Sequence, residues 1–334
     1  MDKNQNMLIE LIKEIEFRIL DGGKIEREEA AALWNLPYNL LMKLAAAADR
    51  IRINFLGNRF DSCSLINAKS GLCSEDCAFC AQSARHGGAS EIYDLKSTAE
   101  ILSAARAAKA FGAGRFCTVT SGGALSEQDF DRLIESLRIV RSEVDIALDA
   151  SLGFLNENRA AKLFGAGVTR YNHNLESSRD YYPSICSTHS YESRVGTVKL
   201  VKSKGASACC GGIIGLGETP SQRMDLAFTL ADLGVDCVPI NILNPRPGTP
   251  LQDTIPPEPM EIIKTIATFR LVLPSATIKI AGGRERNLGD FQAMALRSGA
   301  NGMIIGGYLT TGGRSVEDDL RMVRQAGFDI SYVC

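Results

Sequence analysis

Three cysteines lie within eight positions of one another in the stretch GLCSEDCAFCAQSARH, residues 71–86. Cys73, Cys77 and Cys80 have the spacing CxxxCxxC, and thiols this close together are typical ligands of a metal centre. A [4Fe–4S] cluster that is held by three thiolates leaves one iron open to another ligand. The spacing therefore predicts an iron–sulfur cluster that binds a small molecule at its open iron.

A structural zinc site is the alternative use of these thiols. Tetrahedral zinc takes four protein ligands, commonly from paired CxxC motifs. Apart from His86, no further Cys or His lies at that spacing, so a zinc site would need a distant residue. The asymmetric spacing favours the iron–sulfur cluster.

The composition is that of a globular protein, and it excludes two classes of partner. The chain has 334 residues, 23% of them charged and 45% hydrophobic, with a formal net charge of −2. This charge gives no basic field for nucleic acid, and no apolar run approaches the ~18 residues of a membrane span. The N-terminus resembles neither a signal nor a transit peptide. We expect a cytoplasmic protein, whose ten cysteines serve metals or catalysis rather than disulfides.

A repeated unit must position the cysteine motif. Residues 1 to about 52 carry apolar residues at helical spacing, and after them an Ala-rich helix that ends in Gly is followed at once by a β-rich run, several times over. Each helix end predicts a left-handed glycine. These glycines are Gly112, Gly165, Gly205, Gly234 and Gly299.

About eight predicted strands alternate with helices, which indicates parallel strands joined by crossover helices. Eight units over some 270 residues favour a (β/α)8 barrel, with an open doubly wound sheet as the alternative. The motif follows the first predicted strand, at the end where barrels carry their chemistry. We expect a helical extension at 1–52, a barrel at 53–325 and a C-terminal tail at 326–334.

Several motifs together resemble one known family. CxxxCxxC with an aromatic residue before its last cysteine resembles the signature of radical S-adenosylmethionine enzymes. The segments RFCTV, YNHNLE, GGIIGLGET, PINILNPRPGTPL and AGGRE follow in the order found in the biotin synthase family, and the match runs from about residue 60 to 325. The resemblance implies a [4Fe–4S] cluster that binds S-adenosylmethionine, a 5′-deoxyadenosyl radical, and sulfur insertion into dethiobiotin. It also implies an electron donor such as flavodoxin or ferredoxin, and a homodimer.

The resemblance assigns roles residue by residue. Cys73, Cys77 and Cys80 match the cluster ligands. Three matched asparagines carry neutral amides, which can bind a ureido ring or ribose hydroxyls without supplying an acid that would quench a radical. Glu176 matches a carboxylate that binds the ribose diol, since one carboxylate accepts from two hydroxyls. The matches to cofactor-binding residues are Phe79, Arg115, Glu176 and Arg194, and those to substrate-binding residues are Asn172, Asn174 and Asn241. His173 alternates with the asparagines, and we expect it to face into packing.

A second, auxiliary cluster supplies the sulfur in that family. The usual [2Fe–2S] site takes a cysteine from each of three strands and an arginine from a fourth, and Cys117, Cys209 and Arg284 match three of these ligands. Asp149 stands where the remaining cysteine is expected, and a carboxylate is a poor substitute for a soft thiolate. We therefore expect an altered cluster, either [2Fe–2S] or a larger four-iron one, with Cys210 or Cys63 as a third thiolate.

The other cysteines have simpler interpretations. Cys186 and Cys237 are predicted to be small buried hydrophobic residues, and Cys334 to lie in a disordered tail. Two other functions stay open. One is a related radical barrel enzyme, similar to the hydrogenase maturase or the methylornithine-forming mutase, that acts on another small molecule. The other is an iron–sulfur scaffold without turnover.

Overall fold

The predicted barrel is present in a computed structural model that describes residues 3–309 and 312–330. Cys334 and the end of the predicted tail lie outside the described residues. The helices are α1 Lys3–Leu20, α2 Arg27–Trp34, α3 Tyr38–Leu56, α4 Thr98–Ala110, α5 Glu127–Glu143, α6 Glu157–Gly165, α7 Tyr191–Ser203, α8 Pro220–Asp232, α9 Pro259–Val272, α10 Arg284–Leu288, α11 Gln292–Leu296 and α12 Val316–Gln325. The strands are β1 Asp61–Lys69, β2 Arg115–Thr120, β3 Ala147–Ser151, β4 Val168–Asn172, β5 Ser207–Cys209, β6 Gly212–Ile214, β7 Cys237–Ile242, β8 Thr277–Ile280 and β9 Gly302–Ile304.

All strand pairings of this sheet are parallel, and the sheet is closed. The order is β5-β4-β3-β2-β1-β9-β8-β7-β6, and β5 also pairs with β7. β5 and β6 are two halves of one stave, that is, of one strand position in the barrel wall. The nine segments therefore make eight staves. This confirms the (β/α)8 barrel and excludes the open sheet.

The break between β5 and β6 has a local cause in the neighbouring strand. Pro239 of β7 has no N–H to donate to a strand ladder. Beside it Gly211 approaches so closely that a Cβ atom would lie 2.0 Å from the Pro239 carbonyl oxygen. Only glycine fits there, and the stave bends at this point.

Apolar side chains fill the layer between the strands and the surrounding helices, whereas many lumen residues are polar. Helix α3 continues to Leu56, past the expected boundary at residue 52, and ends at Gly57. Helices α2 and α3 pack on α8 and α9 at the outside of the barrel. Among the five glycines expected to be left-handed, Gly165 is an exception, because helix α6 extends through it and Gly167 takes the positive φ.

Candidate functional site

The three-cysteine loop leaves the C-terminal end of β1 and folds back on itself. The Cys73 N–H donates to the Gln82 carbonyl at 3.0 Å, and the Ala84 N–H donates to the Cys73 carbonyl at 2.8 Å. The Gln82 side-chain oxygen accepts from the Ser70 hydroxyl and the Gly71 N–H, both at 3.1 Å. These bonds hold the loop over the mouth of the barrel, where the sequence predicted it.

The three thiols of the loop lie farther from one another than the ligand atoms of a single metal ion do. Among the described residues, the one Cys/His/Asp/Glu group whose ligand atoms all lie within 4.8 Å of one another is Cys77, Cys186 and His189. Cys73 and Cys80 do not belong to it. One ring nitrogen of His86, the histidine at zinc-ligand spacing, lies 3.0 Å from the Asp76 carbonyl oxygen and is engaged there. This arrangement favours a polynuclear cluster over a zinc ion.

A cavity of about 380 Å³ runs from this loop into the barrel. Phe79 and Cys80 lie at its upper end, and strand residues line it down to the floor of the lumen. Its other lining residues include Asn172, Asn174, Glu176, Asn241, Cys63, Cys117, Asp149, Cys209 and Lys279. The structure thus brings most of the predicted site residues together in one cavity.

Two buried oxygens in the cavity lack a hydrogen-bond partner. Among the described residues, nothing pairs with Oδ1 of Asn172 or Oε2 of Glu176. By contrast, the Asn241 amide is held by the Gly212 carbonyl at 3.3 Å and the Gly282 N–H at 2.9 Å. Since an unpaired buried acceptor costs about 1–3 kcal/mol, these oxygens suit a ligand that donates hydrogen bonds.

Glu176 is held in an uncommon backbone conformation. Its φ is +66°, and the Ile213 N–H donates to its carbonyl at 2.8 Å. Burial raises the pKa of this carboxyl group, although the nearby Arg194 guanidinium favours the ionised form. Non-glycine residues with positive φ cluster at functional sites, and this one aims a carboxylate into the cavity.

The two predicted cofactor-binding arginines do not line the cavity. Arg194 lies behind Glu176, with its guanidinium 3.8 Å from the carboxylate and 2.9 Å from the Asn174 carbonyl. Arg115 lies on the floor of the barrel, where it binds both oxygens of Asp149 at 2.8 and 3.0 Å. Arg194 is therefore placed to position the carboxylate, whereas Arg115 is distant from the cysteine loop.

A second set of thiols lies lower in the lumen. Cys63, Cys117 and Cys209 are buried and line the cavity from β1, β2 and β5. Burial raises the pKa of the Cys63 thiol to about 12 and that of Cys117 well above its ordinary value. Cys210 points the opposite way, into the apolar core, as strand alternation requires. It therefore does not join this set.

Arg284 and Asp149 are both held in buried ion pairs in this structure. The Arg284 guanidinium lies outside the cavity, buried against Gln292 and paired with Asp319. It follows the end of β8, and Gly283 with φ +81° redirects the chain there. Both oxygens of the Asp149 carboxylate accept hydrogen bonds from Arg115. The structure therefore does not bring the expected arginine to the lumen thiols.

Two lumen residues were missed by the sequence analysis. Lys279 of β8 faces the cavity, and its ammonium group lies 2.5 Å from Asp61. Cys237 of β7 pairs with Cys209 in strand register and is completely buried. A signal was present for Cys237, since it lies two and four positions before Pro239 and Asn241, which both face the lumen.

His173 was expected to face into packing, and its ring lies against Phe154 with centroids 5.1 Å apart. Burial lowers its pKa well below the ordinary value for histidine. Cys186 is buried near the loop, with its sulfur 3.9 Å from that of Cys77. No helix among the described residues is long and apolar enough to cross a membrane.

Comparisons with known proteins define the class of this barrel. Residues 69–230 match the radical SAM superfamily, and residues 239–329 match the biotin and thiamin synthesis associated domain. A crystal structure of methylornithine synthase superimposes with a TM-score of 0.84 over 94% of this chain and 96% of that chain, at 20% identity. An FeFe-hydrogenase maturase, HydG, from Carboxydothermus hydrogenoformans superimposes with a TM-score of 0.80 over 96% of this chain and 79% of that chain, at 18% identity. The fold and the cysteine loop are those of a radical S-adenosylmethionine barrel.

Curated relatives identify the family within this class. The biotin synthase of Pelotomaculum thermopropionicum is 49% identical over 317 residues, which cover 95% of this chain and 98% of that protein. The enzyme of the same name from Carboxydothermus hydrogenoformans is 47% identical over 315 residues, which cover 94% and 97%. The chain belongs to the biotin synthase family. The resemblance to the mutase and the maturase, at 20% identity or below, concerns the fold alone.

The family implies a [4Fe–4S] cluster, S-adenosylmethionine and an auxiliary iron–sulfur cluster, and the residues present fit all three groups. Cys80 of the three-cysteine loop lines the cavity mouth, and Glu176 and Asn172 each offer an unpaired oxygen within the cavity. Three further thiols stand on the lumen walls. The donors are soft thiolates, which select iron–sulfur centres over hard cations.

Proposed function

We propose that this chain forms biotin by inserting sulfur into dethiobiotin. The observation that carries the proposal is one cavity that reaches from Cys80 of the cysteine loop, at its mouth, to a second set of thiols in the lumen, with neutral amides between them. A radical enzyme without sulfur transfer, or an iron–sulfur scaffold, has no need of the second set.

Each group of residues has a distinct task in this proposal. Cys73, Cys77 and Cys80 hold the [4Fe–4S] cluster, which with bound S-adenosylmethionine supplies the radical that takes hydrogen from the substrate. Glu176 accepts hydrogen bonds from the ribose diol, and Phe79 bounds the adenosyl site. Asn172, Asn174 and Asn241 present amides to the ureido ring, so that no acidic proton lies beside the reacting carbons.

The lumen thiols Cys63, Cys117 and Cys209 hold the auxiliary cluster, from which the sulfur comes. The proposal also includes one-electron reduction by a protein such as flavodoxin or ferredoxin, a homodimer, and a reducing, cytoplasmic location. The exposed Met7 and Phe17 of α1, with 64% and 74% of their surface accessible, support a subunit interface at the N-terminal helices.

The test is anaerobic turnover of the reconstituted full chain with S-adenosylmethionine, dithionite and dethiobiotin. We expect both 5′-deoxyadenosine and biotin by mass spectrometry. Cys209→Ala should lose biotin and keep deoxyadenosine, whereas its neighbour Cys210→Ala, which alters the core side of the same strand, should keep both. Deoxyadenosine without any biotin from the unsubstituted chain would overturn sulfur insertion.

Iron counting tests the two-cluster arrangement separately. About four irons per chain, unchanged in the Cys117→Ala/Cys209→Ala variant, would refute an auxiliary cluster. About six irons correspond to an additional two-iron cluster and about eight to an additional four-iron cluster, and both outcomes support the proposal.

A further inference from the structure

Among the described residues, four cysteines face the lumen without belonging to the apolar core. Cys63, Cys117, Cys209 and Cys237 have at most 7% of their surface exposed, yet none of them packs within the main cluster of buried apolar side chains. Cys210 does belong to that core. A buried thiol outside the apolar core is a candidate ligand rather than a small hydrophobic residue.

Cys237 is tied to Cys209 by strand register. The two residues pair across β5 and β7, so their side chains point to the same side of the sheet. Their thiols interact with each other. Cys237 also shares its face with Pro239 and Asn241, which line the cavity above it. Cys237 therefore lies directly beneath the cavity, beside an expected ligand of the auxiliary cluster.

The positions that would otherwise complete the ligand set are engaged elsewhere. Asp149 is bound by Arg115, Lys279 is bound by Asp61, and Arg284 is turned away from the lumen towards Asp319. A fourth ligand from any of these positions would break a buried ion pair, which costs about 3–5 kcal/mol. Cys237 reaches the lumen without such a loss.

The charge of the barrel floor favours thiolates at this place. Three cations, Lys279, Arg170 and Arg115, share the floor with two carboxylates, Asp61 and Asp149. One positive charge is left in surplus in a buried region. Both Lys279 and Arg170 interact electrostatically with Cys209 and Cys237. An anionic cluster with thiolate ligands would be stabilised there.

We propose that Cys237 is a further ligand of the auxiliary iron–sulfur cluster, which four thiolates from β1, β2, β5 and β7 then hold. This inference rests on the proposed function. Four cysteines are the ordinary ligand set of both [2Fe–2S] and [4Fe–4S] clusters. Each thiol gives up its proton on binding iron, and no change in the oxidation state of the sulfur is needed. The arginine of the usual set is not required.

The test isolates the auxiliary site in a variant that lacks the first cluster. Cys73→Ala, Cys77→Ala and Cys80→Ala are combined, the protein is reconstituted anaerobically, and iron, sulfide and the Mössbauer spectrum then report the lumen alone. Adding Cys237→Ala should lower the bound iron at least twofold. Adding Cys210→Ala, the matched core-facing control, should leave both iron and spectrum unchanged. Equal iron and an identical spectrum with Cys237→Ala would overturn the proposal.

A second variant guards against misfolding. Cys237→Ser keeps the size of the side chain and offers an oxygen ligand, so we expect retained iron with an altered Mössbauer isomer shift at one site. An isomer shift identical to that of the parent would overturn the assignment. Circular dichroism and thermal unfolding of the apoproteins show whether each variant is folded.

The outcomes separate this inference from the proposed function. If the unsubstituted chain forms biotin and the lumen cluster is insensitive to Cys237, the ligand assignment alone is wrong. If the lumen cluster depends on Cys237 and no biotin forms, the ligand assignment holds and sulfur insertion is wrong.

Discussion

Asp61 is predicted to be the main electrostatic support of the barrel floor. Only 3% of its surface is exposed, and its two oxygens pair with Lys279 at 2.5 Å and Arg170 at 2.7 Å. Asp61→Asn keeps the shape of the side chain and removes its charge. Two buried cations then lose their counter-ion, and removing one partner of a buried pair costs about 3–5 kcal/mol.

This loss can be converted into a shift of the melting temperature. At about 2.1 cal/mol/K per residue, the unfolding entropy of a chain of this length is roughly 0.7 kcal/mol/K. The expected decrease is therefore about 4–7 °C. It should be measured on the apoprotein by calorimetry and by urea unfolding, in anaerobic buffer with a chelator.

The pH dependence gives the prediction a second check. Burial opposes ionisation of Asp61, but Lys279 and Arg170 outweigh it and hold its pKa well below the ordinary value. A depressed pKa means that the stabilisation is complete above the pKa of the unfolded state, about 3.9, and is lost as the pH falls towards the folded-state pKa. The difference in the free energy of unfolding between Asp61→Asn and the parent should thus be constant from pH 5.5 to 8 and shrink below about pH 4.

A surface pair provides the control. Asp145 is fully exposed and lies 3.2 Å from Lys109, so Asp145→Asn should change stability by less than about 1 kcal/mol. Adding Lys279→Met to Asp61→Asn should recover part of the loss, since it removes one of the two unpaired cations. A loss below 1 kcal/mol for Asp61→Asn, equal to that of the control, would refute the reasoning.

Three further predictions concern the site. Glu176→Gln should weaken S-adenosylmethionine binding by about 10- to 100-fold in equilibrium dialysis, because a charged acceptor is lost. Because burial raises the pKa of Glu176 in the folded state, the contribution of its carboxyl group to folding stability is lost as the pH rises. The Glu176→Gln apoprotein should therefore melt no lower than the parent at pH 7.5. Equal affinity of the variant and the parent for S-adenosylmethionine would contradict the role of Glu176. Arg284→Lys should lower the melting temperature by loosening Asp319 and leave the iron of the auxiliary site unchanged; a loss of that iron would contradict its placement. Gly248→Ala places a Cβ atom 2.2 Å from the Gly87 carbonyl oxygen at φ +79°, so we expect a loss of at least about 1–3 kcal/mol in urea unfolding, and an unchanged midpoint would show that the two loops can separate.

Local patterns in the sequence were sufficient for the cysteine loop and for the type of fold. Ligand spacing within eight residues is a property of a short segment, so Cys73, Cys77 and Cys80 could be grouped without any tertiary information. The alternation of helices and strands indicated parallel staves for the same reason, and the closed sheet confirms it.

Contacts between strands that are distant in sequence decided the composition of the lumen. Strand alternation could place Cys237 on the face of Asn241, but its contact with Cys209 depends on the register of β5 against β7. Arg284 follows the end of β8, where alternation no longer applies, and the turn at Gly283 carries it away from the lumen. Likewise, only the assembled barrel floor pairs Asp149 with Arg115 and Asp61 with Lys279. The spacing of ligands within one loop can therefore be predicted from the sequence. The proposed ligand set of the auxiliary cluster depends on the register between distant strands, so only the tertiary structure determines it.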